Sequence, residues 1–117
     1  MAAYTLIHNP KCGTSRTVLA ILKENGHEVN VIEYLKEPPT ETTYRDWIAR
    51  LGGSPRVIIR SKEPLYKSLN LDDENTTDDQ LISALVANPI LFNRPLVISP
   101  SGVVKVCRPA DTVRDLL

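Results

Sequence analysis

The sequence predicts an α/β fold, a small mixed β-sheet with helices on both faces. Three observations carry that expectation. The opening segment, residues 4–35, alternates an apolar strand pattern, a helical pattern and a second strand pattern. Residues 40–88 hold helical periodicities and helix caps. Two short apolar runs near the end flank a Pro-Ser-Gly turn. With 117 residues, the chain is expected to form a single domain spanning 1–117, large enough to bury its own core.

The elements follow in order. Tyr4, Leu6 and Ile7 mark a first strand over about residues 4–8. Thr14 or Ser15 can cap the helix that follows; Val18, Leu19 and Leu22 line one face, and Gly26 stops it. Val29 to Leu35 reads as a second strand, ending before Pro38-Pro39. A right-handed βαβ crossover makes the two strands parallel. From Thr40, the residues Tyr44, Trp47, Ile48 and Leu51 recur at helical spacing until Gly52-Gly53. Short helical turns are expected at Pro55–Arg60 and Leu65–Leu69. Thr77 with Gln80 forms a capping-box pattern ahead of Leu81, Ile82, Leu85 and Val86, and Asn88-Pro89 closes that helix. Leu96-Val97-Ile98 and Val103–Val106 flank Pro100-Ser101-Gly102 and so predict an antiparallel hairpin. Pro109 suits the first turn of a closing helix that ends near Leu116.

Composition excludes several classes of function. Fourteen basic and fourteen acidic side chains leave a formal net charge of zero, so no general attraction to nucleic acid or to an anionic membrane is expected. The Met-Ala-Ala start runs straight into a strand, without the basic and long apolar segments of a signal peptide, and no apolar run is long enough to span a bilayer. Two cysteines far apart in sequence argue for a reducing compartment rather than a disulfide framework, and the cytoplasm is the expected location.

The chemistry concentrates in the run His8-Asn9-Pro10-Lys11-Cys12-Gly13-Thr14-Ser15-Arg16. It lies where strand gives way to helix, so Cys12 meets the unpaired N–H groups and positive dipole end of the helix that follows. Such a position stabilises the thiolate, the reactive form of cysteine. An isolated cysteine is commonly a small buried hydrophobe, but the small-residue loop and the neighbouring Lys11 and Arg16 mark Cys12 as a nucleophile beside an anion cradle. His8 ends the strand that delivers the loop; it either supports the thiolate or simply caps the strand. Three other chemistries fail on spacing. Ser15 stands where a dithiol site needs its second cysteine, Val18 stands where a cysteine phosphatase loop needs arginine, and the two cysteines and two histidines lack zinc-finger spacing.

The first motif, together with Asn88-Pro89-Ile90-Leu91-Phe92-Asn93-Arg94-Pro95-Leu96-Val97 and Cys107-Arg108-Pro109, closely resembles the glutaredoxin-dependent arsenate reductases. These form the ArsC family of the thioredoxin-like superfamily. The resemblance covers essentially the whole chain, including Pro38-Pro39 and Thr77-Asp78-Asp79-Gln80-Leu81. It implies a thioredoxin-like fold with a helical insertion. It also implies that Cys12 attacks arsenate, that His8 helps keep Cys12 ionised, and that Arg60, Arg94 and Arg108 bind the oxyanion and its product. Thr14 and Ser15 of the loop are expected beside them as substrate-binding residues, and Pro95 matches the cis-proline that this fold places next to its active thiol. Some members of the family continue well beyond the closing helix, whereas this chain stops at Leu117.

The residue types suit that target. Arsenate is a tetrahedral oxyanion, and arginine offers it a planar fork of donors whose charge is permanent. Arg94 and Arg108 each precede a proline and flank the hairpin, while Arg60 comes from the helical middle. Cys107 beside Arg108 is either structural or a resolving thiol. No bound cofactor or metal is expected. Glutathione enters as co-substrate and glutaredoxin as partner, because Ser15 leaves the active thiol to be resolved from outside. Two alternatives stand beside this one: a glutathione-dependent thiol reductase with a substrate other than arsenate, and a redox-responsive transcription-regulatory binding protein.

Overall fold

Alternation along Tyr4–His8 (β1) sets the architecture. Successive side chains of a strand point to opposite faces, so Tyr4, Leu6 and His8 share one face and Ile7 lies on the other. All four are buried, which makes β1 an interior strand. The computed structural model describes residues 3–93 and 95–117. Four strands form one sheet in the order β2-β1-β3-β4, with β2 at Val29–Glu33, β3 at Leu96–Ile98 and β4 at Val104–Val106. β1 runs parallel to β2, pairing Tyr4 with Val29 and His8 with Glu33. β3 is antiparallel to both β1 and β4, and the Pro-Ser-Gly turn joins it to β4.

Among the described residues, the chain divides into two compact units, Met1–Glu37 with Arg94–Leu117, and Pro38–Asn93. The first unit carries the sheet. Gly13–Glu24 forms α1, and its apolar stripe of Val18, Ile21 and Leu22 packs with Tyr4, Leu6, Val97, Cys107 and Val113 into one cluster. Each fully buried aliphatic side chain there contributes about 1.5–3 kcal/mol. Gly26, at φ +78°, takes the left-handed turn that ends α1 and sends the chain back into β2. Tyr4 Oη donates to the Leu116 carbonyl at 2.8 Å, fastening the end of the chain to the start of the sheet.

The second unit lies in sequence between β2 and β3. It comprises α2 (Glu41–Leu51), a 3₁₀ turn at Pro55–Ile58, α3 (Pro64–Ser68), α4 (Asp78–Ala87) and a second 3₁₀ turn at Pro89–Leu91. Tyr44, Trp47 and Phe92 form an aromatic cluster with ring centroids 5.8–6.1 Å apart. An isolated bridge joins Ile59 to Phe92. Arg56 is half-buried and caps the carbonyls of Leu71 and Asp73 at 2.6 and 2.9 Å, its Nη1 also donating to Tyr66 Oη at 2.8 Å. Among the described residues, no helix is long and apolar enough to cross a membrane.

The structure moves several element ends. Helix α1 begins at Gly13, with Cys12 as N-cap, not after a Thr14 or Ser15 cap, because the Ser15 hydroxyl is engaged elsewhere. β2 stops at Glu33, where Lys36 and Glu37 both return their N–H groups to its carbonyl. The closing segment Ala110–Leu116 is 3₁₀, and Pro109 sits at its N-cap, outside the first turn.

The α4 capping box is complete: Thr77 Oγ1 accepts from the Gln80 N–H, and Gln80 Oε1 accepts from the Thr77 N–H. Thr77→Ala removes one of those acceptors. It is expected to cost about 1 kcal/mol of unfolding free energy, seen in urea titration as a lower midpoint at unchanged slope.

Candidate active site

The loop at the end of β1 is held by a buried hydroxyl. The alternation of β1 turns His8 toward α1, where its Nδ1 lies 2.6 Å from Ser15 Oγ. The same Oγ accepts the Asn9 N–H at 3.2 Å. Ser15 is wholly buried, with a relative exposure of 0%. One hydroxyl therefore ties the last residue of the strand and the first residue of the loop to the first turn of the helix.

Asn9 shapes the intervening turn. Its Oδ1 accepts the Lys11 N–H at 3.0 Å, and its carbonyl accepts the Cys12 N–H at 2.9 Å. Asparagine before proline is suited to this, since the side chain mimics a backbone acceptor two residues ahead. Asn9 Nδ2 reaches Tyr34 Oη at 3.4 Å. Arg16 folds back so that its Nη1 donates to the Pro10 carbonyl at 2.9 Å. Cys12 then takes the N-cap position at φ −91° and ψ 120°, its carbonyl accepting the Arg16 N–H.

That geometry leaves the Cys12 sulfur at the open end of α1. The N–H groups of Gly13, Thr14 and Ser15 occupy the first turn, where a helix supplies no acceptor. Arg108 Nη1 approaches Cys12 Sγ to 3.7 Å. At that range a unit charge pair is worth about 1 kcal/mol in water and about 4 kcal/mol at an effective dielectric of 20. Arg108 is exposed, so the lower figure governs, comparable with the roughly 0.3–1 kcal/mol of a helix terminus. Both effects favour the thiolate of Cys12 over its thiol.

His8 does not add a third positive charge. Burial holds its imidazole below the usual histidine value; Glu33 opposes that shift, and Arg16 adds to it. Burial favours the neutral ring, which serves the loop through its hydrogen bond to Ser15. Cys107 is buried, and burial pushes its thiol up to about 11. Its Sγ donates to the Lys105 carbonyl at 3.7 Å. Burial therefore favours the protonated thiol at neutral pH.

His8, Cys12, Ser15 and Arg108 thus converge on one loop, with Thr14 half-exposed in the first turn beside Cys12. Ser15 departs from its expected role. Its hydroxyl is buried and committed to His8 and Asn9, so it pins the loop from behind and presents no side-chain donor to a ligand. Arg60 belongs to the second unit, where its backbone N–H donates to the Leu91 carbonyl at 2.7 Å. Arg94 lies outside the described residues, and with it the geometry of the Arg94–Pro95 bond. Pro95 is buried, and its carbonyl accepts the Cys107 N–H at 2.9 Å. Among the described residues the cis peptide is Arg108–Pro109. Sequence reasoning passed over Asn9, although Asn-Pro at a strand end is a turn signal.

A family model described as the ArsC family matches residues 7–116. The chain is 42% identical over 117 residues to an arsenate reductase of Acidiphilium multivorum, covering 100% of this chain and 82% of that protein. It is 42% identical over 113 residues to the uncharacterized protein YfgD of Escherichia coli, covering 96% of this chain and 94% of the other. A solved structure described as an arsenate reductase from Vibrio cholerae superposes with a TM-score of 0.92 at 36% identity, covering 99% of this chain and 98% of that one.

Two outcomes follow from the burial of these groups. Iodoacetamide at pH 7 is expected to label native protein once, at Cys12, with Cys107 modified only after denaturation; intact-mass and peptide analysis read this directly. Unfolded chains protonate His8 near the ordinary histidine value while the folded protein resists it, so the unfolded state binds the extra proton as pH falls. Stability is expected to decline from pH 7 to pH 5, and His8→Gln to make the thermal-midpoint profile shallower over that window.

Proposed function

Because the chain belongs to the ArsC family, we propose that it is an arsenate reductase that uses Cys12 as nucleophile and glutathione with glutaredoxin as reductants. The observation that carries this reading is the Arg108 guanidinium 3.7 Å from a half-exposed Cys12 sulfur at an open helix N-terminus. A thiolate alone would suit many electrophiles. A thiolate with an arginine fork and unpaired N–H groups suits an oxyanion whose central atom accepts sulfur. The thioredoxin-like fold of the relatives supports the same reading, since that fold carries its reactive thiol at this strand-to-helix turn.

The reaction runs in three displacements. The Cys12 thiolate attacks arsenic(V); a sulfur–arsenic bond forms, and one arsenate oxygen leaves as water after protonation. Arg108 and the first-turn N–H groups offset the charge on the remaining oxygens. A glutathione thiolate then attacks the Cys12 sulfur. The sulfur–arsenic bond breaks with its electron pair going to arsenic, which leaves as arsenite, and a Cys12–glutathione disulfide remains. Glutaredoxin attacks the glutathione sulfur of that disulfide and restores the Cys12 thiolate. Cys107 takes no part, because its buried thiol is protonated. Ser15 and His8 act as positioning residues for the loop. Arg60 and Arg94 carry their expected oxyanion roles by sequence position. The chain is taken to work as one domain in a reducing cytoplasm, with no bound cofactor.

Arsenate-dependent oxidation of NADPH in a coupled system of glutathione, glutaredoxin and glutathione reductase tests the reading. Wild-type protein is expected to turn over and Cys12→Ser to lose all arsenate dependence. Arg108→Ala is expected to lower kcat/KM by about tenfold to a thousandfold, the range for losing one charged donor at an oxyanion site. Turnover of model disulfides without any response to arsenate would move the assignment to a glutathione-dependent thiol reductase.

A further inference from the structure

Beside the loop, at the C-terminal ends of the parallel pair β1 and β2, lies a cleft of about 230 Å³. Its walls come from His8 and Glu33 at the strand ends, from Pro10 and Leu35, and from Lys11 and Lys36. Open α/β sheets bind ligands at the carboxyl ends of their strands, where loops diverge and backbone groups are free. The surroundings here are chemically specific. Two lysines and one glutamate are among the residues that line the cleft, and Leu35, which is 49% exposed, gives it an apolar side. Among the described residues Lys11 makes no ion pair. Lys36 meets Glu33 at 3.7 Å with side-chain exposures of 76% and 35%, a pair too open to water to hold either partner strongly. Both lysines are therefore available to a ligand at little cost.

Resting on the glutathione dependence proposed above, we infer that this cleft binds the peptide body of glutathione. That tripeptide carries two carboxylates and one ammonium at neutral pH, the inverse of the charges that border the cleft. Lys11 and Lys36 receive the carboxylates, Glu33 receives the ammonium, and Leu35 with Pro10 covers the methylene groups. Asn9, Pro10 and Lys11 of the loop that carries Cys12 line the cleft, so a ligand there meets the same loop as the thiol. The cleft thereby selects which thiol resolves the adduct, a choice that Cys12 chemistry alone does not make.

The test compares two disulfides that differ in charge. The Cys12 thiolate attacks one sulfur of oxidised glutathione; a Cys12–glutathione disulfide forms as the original sulfur–sulfur bond breaks, and a glutathione thiolate leaves. Bis(2-hydroxyethyl) disulfide undergoes the same exchange without any charged group. The ratio of the two rates, followed by intact mass, cancels changes in the reactivity of Cys12 itself. Lys36→Glu is expected to lower that ratio by about tenfold through like-charge repulsion. Lys23→Glu, the same charge change on an exposed turn of α1 outside the cleft, is expected to leave the ratio within about twofold. An unchanged ratio in Lys36→Glu, or an equal fall in Lys23→Glu, overturns the assignment. Neither rate involves arsenate. A ratio that falls as expected in a protein without arsenate-dependent turnover sinks the reductase reading and leaves the cleft standing; the reverse pattern sinks the cleft alone.

Discussion

The first unit is organised around the buried hydroxyl of Ser15. Its hydrogen bonds to His8 Nδ1 and the Asn9 N–H join the end of the central strand to the start of α1. A hydroxyl left without partners in such a place costs about 1–3 kcal/mol, so the strand end, the turn and the first helical turn hold one another in position. Burial and the nearby Arg16 charge favour the neutral imidazole in this arrangement, against the pull of Glu33. The placement of Cys12 at the head of α1 depends on this joint.

Among the described residues, several arginines differ in what their forks touch. Arg56 and Arg16 spend theirs on backbone carbonyls and Arg45 on the carboxylates of Glu41 and Asp79. Arg108 instead points at a sulfur. A guanidinium folded onto carbonyls is held away from the loop, whereas one aimed at the Cys12 sulfur lies where an anion would dock. Sequence alone cannot sort these residues, because the carbonyls that occupy Arg56 come from residues 71 and 73.

Much of the architecture was legible because its determinants are local. The stripe Tyr4, Leu6 and Ile7, the helical spacing from Tyr44 to Leu51, the Thr77–Gln80 capping box and the Pro-Ser-Gly turn each declare their element within a few residues. The start of α1 was not, because Ser15 can cap a helix in isolation and only the tertiary pairing with His8 diverts its hydroxyl. The same diversion explains why Ser15 reads as a substrate contact in sequence and as an anchor in the structure. The closing helix reads as ordinary helix from Pro109 and its apolar positions, yet it packs as 3₁₀ over the cluster that holds Val113 and Tyr4. Cys12 itself was legible because strand, small-residue loop and helix follow one another without interruption.

Cys107 and Arg108 are neighbours with opposite fates, one fully buried and the other exposed beside Cys12. The Cys107 N–H carries the ladder one residue past β4 by bonding the Pro95 carbonyl, and the chain then bends at Arg108 ahead of the cis Arg108–Pro109 bond. The sulfur therefore stays in the cluster with Val18, Leu22 and Val113, while the guanidinium one residue on leaves the sheet for Cys12. A single bend at the end of the sheet thus keeps one thiol dry and gives the other its cation.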